Sequence, residues 1–243
     1  MVMRYAVYLP CVTVGVMIGA VAAIHVGAIG PLGGFSLFVL SWALGGVLSG
    51  LLGLLTWRRA RRDSRSPAAG QRGLAGGALL VLALIITVLR IDAPAIHDIT
   101  TSPDDAPSYR AALDHEDNAG RDLTYPHGGD DVSVQQRRAY PDLRTIVLDL
   151  DAGAAHSASL QAAEAIGLTI AFSSRMDGHI EAYAVSSIFA FVDDVVVRIR
   201  PSASGSAVDV RSTSRLGRSD LGANAARIRA FALALGAPFD SGS

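Results

Sequence analysis

The chain has 243 residues, 50% of them hydrophobic, and a formal net charge of −1 at pH 7. That charge is the sum of two unlike parts. Residues 1–90 contain eight arginines and one acid (+7), and residues 91–243 contain thirteen arginines and twenty-one acids (−8). The acidic second part excludes a nucleic-acid-binding surface, and the single cysteine, Cys11, excludes an intramolecular disulfide.

Three apolar stretches in residues 1–90 predict a membrane anchor of three transmembrane helices. A helix needs about 20 predominantly apolar residues to cross the hydrocarbon core. The stretches at about 5–30, 35–57 and 73–90 meet or approach that length. The Ala-Val-Ala sequence at 20–22 also has the spacing of a signal-peptide cleavage site, so the first stretch is either a span or a cleaved signal.

An arginine-rich segment between the second and third stretches predicts the orientation. Residues 57–72 (WRRARRDSRSPAAGQR) carry six arginines and one acid, and short loops with such an excess stay in the cytoplasm. The N-terminus is then cytoplasmic and residues 91–243 lie outside. Because every basic residue is arginine and alanine and glycine abound, as in proteins of GC-rich bacteria, we predict a multi-pass protein of the bacterial cytoplasmic membrane with a periplasmic domain.

Small residues in the second stretch predict close helix packing. Gly46 and Gly50 form a G-x-x-x-G pair, and Ser49 with Gly53 repeats the spacing. Small side chains let membrane helices approach closely. This face suits either packing within the anchor or a homo-oligomer formed through Gly46 and Gly50.

Residues 91–142 are predicted to be ordered but irregular. Asp, Pro, Gly and His dominate them and no hydrophobic period lasts. We expect this segment to lie across the sheet of the following region, with a short helix near residues 133–140. His97, His115 and His127 lack paired metal-ligand spacing, so we predict no metal and no cofactor.

Residues 143–243 are predicted to form the α+β core of the outer domain. Runs such as LRTIVLDL, LTIAFSS and FVDDVVVRIR have the composition and alternation of strands. The segments HSASLQAAEAIG and LGANAARIRAFALAL are typical of helices, with Ser157 expected to cap the first and Leu221 to begin the buried stripe of the second. The predicted order is β-α-β-β-β-β-α, an antiparallel sheet with helices covering one face.

Alternation predicts the register of the last hairpin. With Ile199 opposite Val208, the apolar residues share one face and Arg198 falls opposite Asp209 on the other. A slip by one residue would expose the apolar set. Asp194, Arg198 and Asp209 are therefore expected to form structural charge pairs, each worth about 0.2–1 kcal/mol.

A polar motif follows the last strand at residues 211–224 (RSTSRLGRSDLGAN), hereafter the Arg-Ser motif. It precedes the final helix, whose N-terminus offers free N–H groups and the positive end of a dipole. Arginine forks and hydroxyl groups there suit an anion such as phosphate, sulfate or a lipid head group. The alternative is that the arginines pair with the domain's own acids as a structural latch. The candidate anion-binding residues are Arg211, Ser214, Arg215, Arg218, Ser219 and Asn224.

Three segments give the chain a family resemblance. IHDITTSPDDAP, FVDDVVVRIR and the Arg-Ser motif with the helix after it resemble the domain-of-unknown-function family 1499 of bacterial and plastid proteins. The resemblance covers about residues 91–237 and is most specific over Arg-Ser-x-Ser-Arg-x-Gly-x-x-Asp-x-Gly-x-Asn. It implies a compact envelope- or lumen-facing domain and brings no activity, cofactor or catalytic residue.

These features favour a membrane-anchored binding or assembly module that faces the periplasm. Its expected partners are the lipid bilayer and an anionic small molecule or lipid head group. The alternative is a membrane-anchored hydrolase of cell-envelope material that uses a Ser or Asp near His156 or His179. The sequence contains no G-x-S-x-G, S-x-x-K or zinc motif, so it assigns no catalytic residue.

Overall fold

The chain divides into two compact units. The first consists of residues 1–91 with 187–190, and the second of residues 92–186 with 191–243. The computed structural model describes residues 8–63, 66–89, 93–126 and 131–237. His127 and the first residues of the first predicted span, 5–7, lie outside the described residues.

The described residues of the first unit form three apolar helices. Helix α2 spans Pro31–Arg62 and α3 spans Ala68–Leu89, and both are long and apolar enough to cross a membrane. Helix α1 spans Leu9–His25, and its 17 residues lie at the lower end of the range for a span. The structure therefore supports a membrane anchor in which two helices have full spanning length.

The helices expose large apolar side chains and bury small ones. Leu44, Leu48 and Leu51 of α2 are each at least 50% exposed. A helix in water would bury these leucines, whereas a helix in lipid exposes them and packs through small residues. This distribution supports a membrane-embedded unit and argues against the core helices of a soluble protein. The buried residues of α2 are Gly34, Gly46, Ser49, Gly53, Thr56 and Ala60.

One glycine face of α2 packs against α3. A Cβ atom on Gly53 would clash with the backbone nitrogen of Leu74, and one on Gly46 would lie 3.1 Å from a methyl group of Val81. A Cβ atom on Gly50 would meet nothing within 4 Å. The face considered for a homo-oligomer is thus used within the chain, and it needs small residues at Gly46 and Gly53 but not at Gly50.

The second unit is an α+β domain with an antiparallel sheet, which confirms the coarse prediction. The short strand β1 and the helix α4 precede the predicted order, and the sequence does not predict β1. The strands are β1 (Asp98–Thr100), β2 (Ile146–Leu148), β3 (Thr169–Ser174), β4 (His179–Val185), β5 (Val192–Ser202) and β6 (Gly205–Ser214). The helices are α4 (Asp131–Ala139), α5 (Ala152–Ala165) and α6 (Ala223–Ala234), and short 3₁₀ helices lie at Ala111–Asp114 and Glu116–Asn118.

The spatial order of the sheet is β1-β6-β5-β4-β3, and β2 also pairs with β6. Strand β1 pairs with residues 211–213 and β2 with residues 206–208, so these two short strands share one edge of β6. The β5–β6 register places Arg198 opposite Asp209, as the alternation predicts. The four longer strands therefore form a continuous antiparallel meander.

Helices α5 and α6 cover the apolar face of the sheet. Val195, Val197, Ile228 and Phe231 lie in this core and are each at most 2% exposed. Together with the alanines of both helices they form a close-packed interior that holds β5 and β6 in position. Burial of a side chain such as Phe231 stabilises the fold by about 1.5–3 kcal/mol.

The helix starts differ from the predictions for local reasons. Asp151 rather than Ser157 caps α5, because its carboxylate accepts a hydrogen bond from the N–H of Ala154 at 2.8 Å. The helix therefore begins earlier than predicted. Leu221 lies in the turn before α6 with φ of +54° and is 55% exposed, so it does not begin the buried stripe.

Residues 93–126 cover the other face of the sheet. Tyr109 and Leu123 pack against Val196 in a second, smaller apolar cluster. The hydroxyl group of Tyr109 donates to the carbonyl oxygen of Asp194 at 3.0 Å. The irregular segment thus lies across the sheet, as expected, and the charged face of β5 and β6 becomes part of the interior.

Candidate functional site

The sheet face under residues 93–126 holds several ionisable side chains. Asp98, Asp194, Asp209 and Arg211 are each at most 2% exposed. Burial of a charge is strongly unfavourable unless the charge is paired and hydrogen-bonded. The partners of these groups therefore decide what this face can bind.

Arg211 lies on this face and is held from several directions. Its Nε and Nη2 atoms donate to the two carboxylate oxygens of Asp98 at 2.9 and 2.7 Å. Its Nη1 and Nη2 atoms also donate to the carbonyl oxygens of Pro107 and Leu123 at 3.1 and 2.8 Å. Burial lowers the pKa of Arg211, but the hydrogen bond and charge of Asp98 more than offset this and raise the pKa overall. A ligand anion here would have to displace Asp98.

Arg215 forms a second pair of the same kind. Its Nη2 atom lies 2.7 Å from Oδ1 of Asp194, and its Nη1 atom donates to Asp117 at 2.9 Å. Asp194 also accepts a hydrogen bond from the side-chain amide of Asn118 at 3.0 Å. The side chain of Arg215 is only 7% exposed. Its donors are therefore used by the domain's own acids.

The N–H groups at the start of α6 also have a partner within the chain. The carboxylate of Asp220 accepts hydrogen bonds from the N–H groups of Gly222 and Asn224 at 2.9 and 2.7 Å. The side-chain amide of Asn224 donates to the carbonyl oxygen of His97 and to the hydroxyl group of Ser214, at 3.0 and 3.1 Å. The N–H groups that would attract an anion already face a carboxylate.

Two residues of the Arg-Ser motif lie nearer the surface. Ser219 donates to the carbonyl oxygen of Pro94 at 3.3 Å. Arg218 is exposed and has no hydrogen bond to any residue that the structure describes. Most of the motif therefore ties β6 and α6 to residues 93–126. This geometry favours the structural latch over the anion site.

The carboxylate of Asp209 accepts hydrogen bonds from the side chains of three residues. Arg198, Arg200 and Thr145 approach its carboxylate at 2.8, 2.5 and 2.6 Å. Arg198 also donates to both carboxylate oxygens of Asp105 at 3.1 and 3.0 Å, and this hydrogen bond lowers the pKa of Asp105. Arg198 therefore joins the sheet to the segment that covers it.

A cavity of about 190 Å³ lies between the covering segment and the sheet. At its rim, Nη1 of Arg110 lies 3.5 Å from Oδ2 of Asp177, and the two side chains are 60% and 53% exposed. This pair is longer and more accessible than the buried pairs of Arg211 and Arg215. The cavity is lined by Pro107, Ser108, Arg110, Asp177, His179 and Arg198.

His179 and Glu181 form a buried pair behind the cavity. Nε2 of His179 lies 2.7 Å from Oε1 of Glu181. The same carboxylate accepts hydrogen bonds from the N–H groups of Arg110, Ala111 and Ala112 at 2.6, 3.0 and 2.8 Å. Burial raises the pKa of Glu181, but the hydrogen bonds from His179 and the three N–H groups outweigh it and lower the pKa overall. Glu181 is thus an ionised acceptor.

This pairing decides which nitrogen of His179 is available. Since Glu181 only accepts, Nε2 of a neutral His179 carries the hydrogen and Nδ1 carries a lone pair. Nδ1 has no hydrogen-bond partner among the described residues, and His179 lines the cavity. His179 therefore offers the cavity a hydrogen-bond acceptor or a general base.

His156 lies on the opposite face of the sheet. Its Nε2 atom is 3.2 Å from the hydroxyl oxygen of Ser173, and Ser173 pairs with Ile180 of the apolar core. Burial and the charge of Arg175 lower the pKa of His156. Because His179 alternates with Ile180 along β4, His156 and His179 do not share a site.

Part of the cavity beside His179 could be predicted from the sequence. His179 and Glu181 are two residues apart on a strand and therefore share a face, and His179 pairs with Arg198 on the next strand. The other wall, with Ser108 and Arg110, comes from an irregular segment without a period. Sequence patterns could have found the pair but not the cavity.

Within the residues that the structure describes, no group of three or more His, Cys, Asp or Glu side chains could hold a metal ion. In comparisons with curated proteins and with solved structures, no protein matches this chain. A family model described as "Protein of unknown function (DUF1499)" matches residues 98–235. That range contains the six strands that the structure describes, the covering segment from residue 98 onward, the Arg-Ser motif and the cavity, and the chain belongs to the DUF1499 family.

Proposed function

We propose that this chain is a membrane-anchored binding module that presents its α+β domain on the periplasmic side of a bacterial cytoplasmic membrane. Its ligand site is the cavity beside His179. The observation that carries the proposal is the accessible pair of Arg110 and Asp177 at the cavity rim. A ligand can replace the contact between these two exposed side chains. If Arg211 or Arg215 bound a ligand, each would leave its buried acid without a partner.

The orientation is supported by the six arginines between α2 and α3. Alkaline phosphatase folds to its active form only outside the cytoplasm, so fusions report the side of the membrane. We expect activity for a fusion after Ser243 and none for a fusion at Ala69. The reverse pattern would overturn the proposed orientation.

The cavity wall is preorganised for binding. Glu181 fixes the ring of His179 from behind and receives three N–H groups of the covering segment. A site whose side chains are already held in place loses little conformational entropy when a ligand binds. A small cavity of this kind can therefore bind a small polar molecule.

The test uses the full chain purified in dodecyl maltoside. After incubation with the fraction of a bacterial periplasmic extract below 1 kDa, native mass spectrometry should detect a retained mass that Arg110→Ala loses. Arg137→Ala is the matched control, because Arg137 forms an exposed pair with Asp104 and does not line the cavity. If wild type and Arg110→Ala retain the same masses, the cavity is not the ligand site.

A second candidate function is hydrolysis, which the His179–Glu181 pair favours. A histidine oriented by a carboxylate acts as the general base in many acyl-transfer sites, and Ser108 in the cavity wall carries a hydroxyl group. No hydrogen bond joins Ser108 to His179 among the described residues. Hydrolysis of 4-nitrophenyl acetate that His179→Gln abolishes would favour this function, and equal rates would exclude it for this ester.

A further inference from the structure

We infer that the cavity binds a small zwitterion, with an ammonium group and an anionic group a few bonds apart. An α-amino acid and an ethanolamine phosphate group share this chemistry. The inference rests on the proposed binding function and adds the chemical class of the ligand. It follows from three features of the cavity: the charges at its rim, the acceptor on its wall and its size.

Among the residues that the structure describes, the rim of the cavity carries one accessible charge of each sign. Arg110 and Asp177 are more than half exposed and their charged atoms are 3.5 Å apart. Arg198, the other cation of the cavity, is already bound to Asp105 and Asp209. Oδ2 of Asp177 also accepts a hydrogen bond from the hydroxyl group of Ser174 at 2.8 Å, but this neutral partner leaves the charge of Asp177 paired with Arg110 alone among the described residues. A ligand therefore meets one accessible cation and one accessible anion of the described residues.

A singly charged ligand would leave one of these groups in an unfavourable position. An anion bound to Arg110 would displace Asp177 and remain next to its negative charge. A cation bound to Asp177 would remain next to Arg110 and Arg198. A zwitterion replaces the Arg110–Asp177 contact with two new pairs, so each charge keeps a partner.

The wall of the cavity adds a site for the ammonium group. In the neutral form of His179, Nε2–H donates to Glu181 and Nδ1 carries a lone pair. An ammonium group has three hydrogens to donate. It can therefore pair with Asp177 and donate to His179, while the anionic group pairs with Arg110. The charged groups that face His179 are then Glu181 behind it and Arg110, Asp177 and Arg198 around the cavity.

The size of the cavity limits the ligand. Sites for drug-sized molecules enclose about 300–1,000 Å³, and this cavity encloses about 190 Å³. It therefore suits a molecule of a few heavy atoms, or the terminal group of a larger molecule whose remainder lies outside.

The test is isothermal titration calorimetry on the full chain in dodecyl maltoside at pH 7 with four probes. L-Alanine and glycerophosphoethanolamine are the zwitterions, each with one positive and one negative charge, and propionate and ethylamine carry only one charge each. We expect at least one zwitterion to bind ten times more tightly than either single ion. Arg110→Ala and Asp177→Asn should each weaken that binding at least tenfold, and Arg137→Ala should leave it unchanged.

Each outcome has a distinct meaning. Binding of alanine alone indicates a free amino acid, and binding of glycerophosphoethanolamine alone indicates a lipid head group. If propionate binds as tightly as both zwitterions and Arg110→Ala abolishes it, the cavity is a ligand site but the zwitterion inference is wrong. If neither zwitterion binds, the inference is also wrong, and the mass retained from the extract decides separately whether the proposed binding function survives.

Discussion

The anchor and the α+β domain bury opposite kinds of residue. In the anchor, the interior is made of small residues such as Gly46 and Gly53, and leucines such as Leu48 face outward. In the α+β domain, one face of the sheet buries valines while the other buries Arg211 with Asp98. The anchor depends on close backbone contact, whereas the charged face depends on complete pairing.

The largest effect is expected where a buried pair loses one partner. Arg211→Met leaves the carboxylate of Asp98 buried without its cation, and breaking such a pair is destabilising by about 3–5 kcal/mol. Hydrogen exchange of the β6 amides in the full chain measures the free energy of opening of this region. We expect protection of β6 to fall by that amount, while protection of α2 stays unchanged.

Arg137→Ala is the matched control for this prediction. Arg137 pairs with Asp104 at 3.0 Å, but the two side chains are 48% and 84% exposed. Exposed pairs contribute about 0–1 kcal/mol. If Arg211→Met lowered the free energy of opening by no more than this control, the buried charge pairs would not be needed for the stability of the domain.

The second prediction concerns the anchor. Gly53→Ala places a Cβ atom against the backbone of α3, and overpacking of this kind is destabilising by about 1–3 kcal/mol. Both tryptophans, Trp42 and Trp57, lie in α2, so thermal unfolding followed by tryptophan fluorescence reports on the anchor. We expect a lower Tm for Gly53→Ala.

Gly50→Ala provides the comparison within the same helix. A Cβ atom on Gly50 meets nothing within 4 Å, so its Tm should match that of wild type. If Gly50→Ala and Gly53→Ala lowered the Tm equally, the assignment of the α2 face that packs against α3 would be wrong.

The smallest predicted effect is the change in the stability of the α+β domain with pH. Burial and the charge of Arg175 lower the pKa of His156 below its ordinary 6.5. The unfolded chain therefore binds a proton more readily, and the free energy of unfolding should fall as the pH drops below 6.5. Glu181 has a pKa below its ordinary 4.5, so its contribution is present above pH 4.5 and is lost as the pH falls further.

Hydrogen exchange of β4 from pH 7 to pH 3, corrected for intrinsic rates, should show the loss of stability below pH 6.5 and the further loss below pH 4.5. His156→Gln keeps a hydrogen-bonding group near Ser173 and cannot titrate, so it should remove only the loss of stability below pH 6.5. If the loss of stability below pH 6.5 persists in this variant, a group other than His156 causes it.

The alternation of residues in β5 and β6 was enough to predict the register and the apolar face. Alternation cannot tell a buried charged face from an exposed one, because both have polar residues at every second position. Arg211 is buried because Asp98, 113 positions earlier, reaches it. That pairing depends on an irregular segment that has no period to read.

The family resemblance predicted the domain but not the role of its most specific residues. The Arg-Ser motif has the composition of an anion site, and two forked cations near a helix N-terminus support that expectation. Asp194 and Asp220 supply the anions from within the chain. Asp98, which neutralises Arg211, lies 113 positions earlier, so the composition of the motif alone could not choose between a site and a latch.

The most direct test of the latch compares Arg215→Ala with Arg218→Ala by hydrogen exchange of β6 and α6, with and without sulfate. Arg215 is 7% exposed and bound to two acids, whereas Arg218 is exposed. We expect Arg215→Ala to lose several kcal/mol of protection, in line with a broken buried pair, Arg218→Ala to match wild type, and sulfate to protect neither region. Protection of wild type by sulfate that disappears in Arg215→Ala, without loss of stability in that variant, would show that the motif is a ligand site.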